Sequence, residues 1–124
     1  MKKLDIKPIS GDFSICKLAD LSAVSLCDEF VFLSKTDEEI SLVCLSSSVP
    51  ENVAENNPGW CGFRICGILD FSLTGILSDI SRVLADGGVG IFAVSTYNTD
   101  YVFVKKENFK KALDLLSRAD YNIV

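Results

Sequence analysis

From residue 60 onward, apolar and polar positions follow two alternating periods. Phe63, Ile65 and Leu69 alternate with Arg64 and Cys66, so residues 60–69 read as a strand. Ile76, Leu77, Ile80, Val83 and Leu84 then fall on one stripe of a 3.6-residue period, and Ser78, Asp79, Arg82 and Asp86 take the other side. Ser72 or Thr74 can cap the start of this helix, and Gly87-Gly88 can end it. Val89 to Tyr97 and Tyr101 to Lys105 read as two strands joined by a tight turn around Asn98-Thr99. A second helix carries Phe109, Ala112, Leu113 and Leu116 as its stripe. Asp120 stands where a glycine often closes a helix and tolerates the left-handed conformation better than most residues. Tyr121 to Val124 can add a last strand. The order is β-α-β-β-α-β, the split βαβ plan.

The first half reads as a shortened copy. "FSICKLADLS" (Phe13 to Ser22) aligns with "FRICGILDFS" (Phe63 to Ser72) at an offset of 50. "LSKTDEEISLVCL" (Leu33 to Leu45) aligns with "VSTYNTDYVFVKK" (Val94 to Lys106) at an offset of 61. The difference equals about three helical turns, so the first copy has lost most of the helix kept at 74–86. Its second helix is expected in reduced form at "VPENVAENNPG" (Val49 to Gly59), since Pro50 is allowed in a first turn and Asn56-Asn57-Pro58-Gly59 ends it. Leu4-Asp5-Ile6-Lys7 is expected as an extra edge strand. The expected fold class is α+β: tandem ferredoxin-like (βαββαβ) units, antiparallel sheets with helices on one face, residues 1–59 shortened and 60–124 complete. A single irregular α+β domain is the alternative.

Composition narrows the chemistry. The formal net charge of −5 over 124 residues argues against nucleic acid, which attracts clustered Lys and Arg. Lys105, Lys106, Lys110 and Lys111 form the densest basic cluster and read as a solvated helix face. The N-terminus lacks the apolar core of a signal peptide, and no apolar run has the length of a membrane span. Five cysteines, an odd number without an export signal, read as reduced thiols in a cytoplasm. Cys61 and Cys66 would face opposite sides of one strand and cannot share an ion. The chain has no histidine, which removes the commonest metal ligand and the commonest general base. No metal, cofactor or catalysis is therefore expected.

Two junctions can hold a ligand. In "DFSLTGIL" (Asp70 to Leu77) a helix start offers unpartnered amides and partial positive charge, and Gly75 lets a small anion approach the amides of Gly75, Ile76 and Leu77. The carboxylate of a free amino acid suits that place. Ser72 and Thr74 can add hydroxyl donors, and Asp70 supplies the charge for an ammonium group. The plainer reading is a helix cap, a packing glycine and a turn aspartate. "STYNTDYV" (Ser95 to Val102), with three aliphatic hydroxyls and Asp100, is the second junction, and a stable hairpin turn is its plainer reading.

Residues 60–124 resemble an ACT domain, the regulatory small-molecule-binding module of aspartokinase and many amino-acid enzymes. The residues that carry the resemblance are "LDFSLTG" (Leu69 to Gly75), "IFAVSTYNTDYVFV" (Ile91 to Val104) and the Ala112-Leu113 stripe. From about Phe13 onward the chain is similar to short tandem-ACT bacterial proteins, which resemble aspartokinase ACT modules and CASTOR-type amino-acid sensors. The resemblance implies an effector site where two ACT units meet. Asp70, Phe71, Ser72, Thr74, Gly75 and Ile76 match its loop and helix start, and Gly90, Ile91 and Phe92 match the second strand. Ser95, Thr99 and Asp100 join the candidate set from the turn. Many effector-binding ACT domains have Pro-Gly at the helix start, whereas Thr74 precedes Gly75 here. The first copy keeps Asp20 and Ser22 but has Ala23-Val24, so one good site per chain is the most expected.

The resulting expectation is a non-catalytic, cytoplasmic, homodimeric module that binds an amino acid at an ACT–ACT interface, without nucleic acid or membrane partners. The alternative is a structural or interaction protein with a degenerate site. An enzyme ranks third, because Cys66 and Ser95 have no histidine to activate them.

Overall fold

The computed structural model of the protein describes residues 4–66 and 75–124. In chain order the elements are β1 (Asp5–Leu18), β2 (Phe32–Lys35), β3 (Ile40–Leu45), β4 (Val53–Ile65), α1 (Ile76–Asp86), β5 (Phe92–Ser95), β6 (Asp100–Lys105), α2 (Phe109–Arg118) and β7 (Asn122–Ile123). Two compact units share this chain. One takes in the residues up to Ser10 and those from Cys61 onward, and the other is Gly11–Trp60. β1 and β4 contribute residues to both.

In the helix-bearing unit, the expected stripes become the core. Ile80 and Leu84 of α1 and Ala112 and Leu116 of α2 are fully buried with Phe63 and Ile65 of β4 and Val102 and Val104 of β6. Ile76, Leu77, Val83, Phe109 and Leu113 pack around them. α1 ends at Gly87, whose amide bonds back to Val83, and Gly88 takes a left-handed turn at φ 79°. Asp120 closes α2 at φ 73°, the left-handed conformation its position predicts. β5 and β6 pair antiparallel from Phe92↔Phe103 to Ser95↔Asp100, with the turn at residues 96–99 between them.

The N-terminal segment does not lie at an edge. Asp5 and Ile6 pair in parallel with Asn122 and Ile123 of β7, while the Asp5 carbonyl accepts from the Cys66 amide on the opposite side. Strand order in this unit is β7-β1-β4-β6-β5. Ile6 is fully buried in the core, which explains why the segment is held between two partners. Its apolar and polar residues alternate as on an edge strand. The difference comes from a pairing partner more than a hundred residues away in sequence.

In Gly11–Trp60 the strand order is β2-β3-β1-β4. Phe13 to Leu18 pair antiparallel with Leu45 to Ile40, and β2 covers the other side of β3. Cys16, Leu18, Leu42 and Cys44 form a small buried cluster with Val24, Val31, Val49 and Val53 around it. Residues 19–31 contain no helix, as the shortened copy predicts. The reduced helix expected over Val49 to Gly59 is absent as well. A 3-10 turn at Ser46–Ser48 is followed by β4, which begins at Val53. Pro58 and Gly59, read as terminators, lie within that strand, and Gly59 sits at φ 86°, where a glycine is favoured. The segment turns at Glu51-Asn52, too soon after Pro50 for a helix to propagate.

Candidate functional site

Asp70, Phe71, Ser72 and Thr74 lie outside the described residues. The described part of the first junction starts at Gly75, the residue that opens α1. It has φ 84°, in the left-handed region, and a side chain placed on it would meet nothing within 4 Å. Gly75 is therefore exposed rather than packed, and its backbone conformation is one that glycine adopts without strain. The Asp79 amide bonds to the Gly75 carbonyl at 2.8 Å and starts the helical ladder, which leaves the Ile76, Leu77 and Ser78 amides at the head of the helix. No side chain among the described residues caps this helix. Asp79, in the first turn, is engaged on its own helix by Arg82 and from the α2–β7 link by the Tyr121 hydroxyl. Tyr121 is almost fully buried. Burial first, then the Asp79 carboxylate, push its pKa well above the usual tyrosine range.

The second junction lies at the same end of the unit. α1 finishes where Gly87 to Ile91 lead into β5, so its start lies toward the β5–β6 turn. That turn is bonded to the end of β4, because the Thr99 hydroxyl donates to the Ile65 carbonyl at 2.5 Å. Within the turn, the Thr96 amide and hydroxyl both donate to the Thr99 carbonyl, at 2.8 and 2.9 Å. Ser95 and Asp100 face each other across the strands. They share the parity of Val102 and Ala93 and so lie on the helix side of the sheet. Ser95 is exposed and Asp100 half-buried.

Gly90, Ile91 and Phe92 sit at the opposite end of β5 from this turn. Gly90 is exposed, and Ile91 packs against the core. Phe92 has the parity of Phe103 and so lies on the sheet face away from the helices. The structure thus brings Gly75, Ile76, Ser95, Thr99 and Asp100 to one end of the unit and sets Gly90, Ile91 and Phe92 along an outer strand. β5 ends the strand order of this unit.

A cleft of about 490 Å³ opens on the sheet face away from the helices. Lys7, Arg64, Cys66, Thr96, Asn98, Thr99 and Tyr101 line it. The Arg64 guanidinium donates to the Tyr101 hydroxyl at 3.4 Å and stands 6.0 Å from the centre of its ring. Of these residues, sequence reasoning named only Thr99 as a binding residue. A signal for the others existed: Arg64 and Cys66 alternate with the buried Phe63 and Ile65, which places them on the opposite face. Lys7 carried no such signal, because β1 has no local link to β4.

In Gly11–Trp60 the segment from Asp20 to Ser22, which aligns in sequence with the first junction, closes on itself. Asp20 accepts from the Ser22 amide at 2.9 Å, the Ser22 hydroxyl at 2.6 Å and the Asn52 amide group at 2.9 Å. Those hydrogen bonds, the Ser22 hydroxyl foremost, lower the Asp20 pKa. With no helix following, there are no aligned amides to receive an anion. All five cysteines are free thiols. Among the described residues no cluster of three or more His, Cys, Asp or Glu can hold a metal ion, and no helix is long and apolar enough to cross a membrane.

The comparisons with known proteins agree with this architecture. An Agobacterium tumefaciens protein from a structural-genomics programme is 31% identical and superposes with a TM-score of 0.87 over 100% of this chain and 94% of its own. A Vibrio cholerae protein of unknown function, described as a possible transport protein, is 18% identical with a TM-score of 0.72 over 93% of this chain and 88% of its own. Aspartate kinase from Clostridium acetobutylicum shares the fold at 19% identity and a TM-score of 0.64, over 93% of this chain and 33% of the kinase. No curated protein sequence matches the chain. The ACT domain family model matches residues 55–118, just over half the chain, and with that match the chain belongs to the ACT domain family, whose members are typically regulatory ligand-binding modules.

Proposed function

We infer that the protein is a non-catalytic regulatory module that binds an amino acid at a contact between ACT units, those of two chains in a cytoplasmic homodimer. The observation that carries this reading is Gly75: exposed, left-handed and opening a helix no described side chain caps. Its amides suit a carboxylate. Asp100, at the same end, supplies negative charge for an ammonium group. The equivalent strand orders, β2-β3-β1-β4 in Gly11–Trp60 and β5-β6-β4-β1 in the other unit, support tandem ferredoxin-like units, the first reduced to its sheet. The proposed repeat divides the sequence at 1–59 and 60–124, with Asp5 to Ser10 packed in the helix-bearing unit. A ligand regulates here by binding one assembled state more tightly than another.

A thermal-shift screen of the twenty amino acids tests this. A ligand at a hundredfold over its Kd adds about 2.7 kcal/mol, a rise in Tm on the order of 10 °C for a domain of this size. Gly75→Asp puts a carboxylate where the ligand's would sit, in a residue that tolerates the left-handed region, and is expected to abolish the shift while the protein still folds. No shift with any amino acid would leave a purely architectural protein that pairs through the outer strand β5.

A further inference from the structure

We propose that the cleft on the helix-free sheet face is a second ligand site, selective for a small organic dianion, a dicarboxylate or a phosphate ester. The protein is acidic overall, with a net charge of −5, yet among the described residues the cleft is lined by two cations and no carboxylate. Lys7 comes from β1 and Arg64 from β4, neighbouring strands of the helix-bearing unit. Among the described residues neither takes part in an ion pair. Arg64 is oriented rather than free, since its guanidinium is bonded to the Tyr101 hydroxyl and lies beside the ring. A guanidinium held in this way presents its remaining N–H groups as a fork, which matches a carboxylate or phosphate. Lys7 adds a second positive charge for the second anionic group. The β5–β6 turn also lines the cleft, where Asn98 brings an amide donor; the Thr96 hydroxyl, whose proton goes to the Thr99 carbonyl, adds none. The Thr99 bond to the Ile65 carbonyl fixes the turn, so the backbone that carries Asn98 needs no ordering on binding. A volume of about 490 Å³ suits a small metabolite.

This site is separate from the helix start. Gly75 and Ile76 do not line the cleft, and α1 packs on the other face of the sheet. The proposal therefore stands or falls apart from amino-acid binding at α1.

The test is an NMR titration of the isotope-labelled full chain with succinate, with inorganic phosphate, and with sodium chloride at matched ionic strength. The expected result is saturable shifts of the Thr96, Asn98 and Thr99 amides with succinate or phosphate and none with chloride. Succinate acting alone assigns a dicarboxylate, and phosphate acting alone a phosphate ester. Arg64→Gln is expected to weaken binding at least tenfold, Lys7→Gln by a smaller factor, and Gly75→Asp not at all. Lys7 is exposed, so its variant keeps the test valid if Arg64→Gln fails to fold. Non-saturating shifts, equal shifts with chloride, or unchanged affinity in the Arg64 and Lys7 variants would overturn the proposal.

Discussion

Replacing Thr99 by valine removes one hydroxyl from a buried place and little else. Thr99 is 6% exposed, and its hydroxyl bonds to the carbonyl of Ile65, a fully buried residue at the end of β4. Valine keeps the β-branched shape, and the backbone bonds between residues 96 and 99 do not involve the Thr99 side chain. The loss is therefore one buried hydrogen bond. A typical net value is about 1 kcal/mol, and the desolvated carbonyl adds to it, for a total of roughly 1–3 kcal/mol. In urea, with a slope of about 1–3 kcal/mol per molar for a small protein, the midpoint should fall by roughly 1 M. Circular dichroism across a urea series measures this. Thr99→Ser restores the hydroxyl and should recover most of the midpoint. If valine and serine variants unfold together at the wild-type midpoint with the same slope, the bond does not anchor the turn. The fixed wall assigned to the cleft would then be lost with it.

Three further outcomes follow from the packing and the titrating groups. Gly62→Ala should destabilise by about 1–3 kcal/mol, because a side chain there would stand 2.6 Å from the fully buried Phe103 ring; a wild-type urea midpoint would contradict that contact. Leu116→Ala, at a fully buried position between α2 and the sheet, should cost about 2–5 kcal/mol by calorimetry or urea unfolding. Stability should also decline at alkaline pH. Burial first, then the neighbouring Cys16 thiol, push Cys44 up to about 12 from 9.0, and Tyr121 is raised as well. Both raised groups bind their proton more tightly when folded. Their contribution is complete below about pH 9 and falls by up to ~1.4 kcal/mol per pH unit for each group as the unfolded chain ionises first. A flat urea midpoint between pH 8 and pH 10.5 would refute this, and Cys44→Val should reduce the slope.

The helix-bearing unit was legible because its two helices carry full 3.6-residue stripes and its hairpin is bounded by a polar turn. Asp120 was readable for the same local reason. What escaped reading was of two kinds. The half of β4 from Val53 to Gly59 is mostly exposed and polar, so it has no buried face to impose alternation, and its Pro and Gly mimic a terminator. The placement of β1 depends on partners at Cys66 and Asn122, which no window of neighbouring residues contains. The cleft is hidden by the same distance, since Lys7 and Arg64 are brought together only by strand pairing. The helix start, by contrast, is legible from Ser72, Thr74 and Gly75 ahead of the apolar stripe at Ile76, Leu77 and Ile80, because these signals are all neighbours in sequence.

The path of β1 and β4 has an evolutionary reading. The chain leaves the helix-bearing unit at Ser10 and returns to it at Cys61. The bond from the Cys66 amide to the Asp5 carbonyl ties the two segments together within that unit. Residues 11–60 therefore interrupt the helix-bearing unit in sequence without supplying its core, whose buried residues all lie outside them. Ile6, β4 from Phe63, both helices and β6 would all remain in a chain without that segment, the arrangement expected where one module is inserted into another.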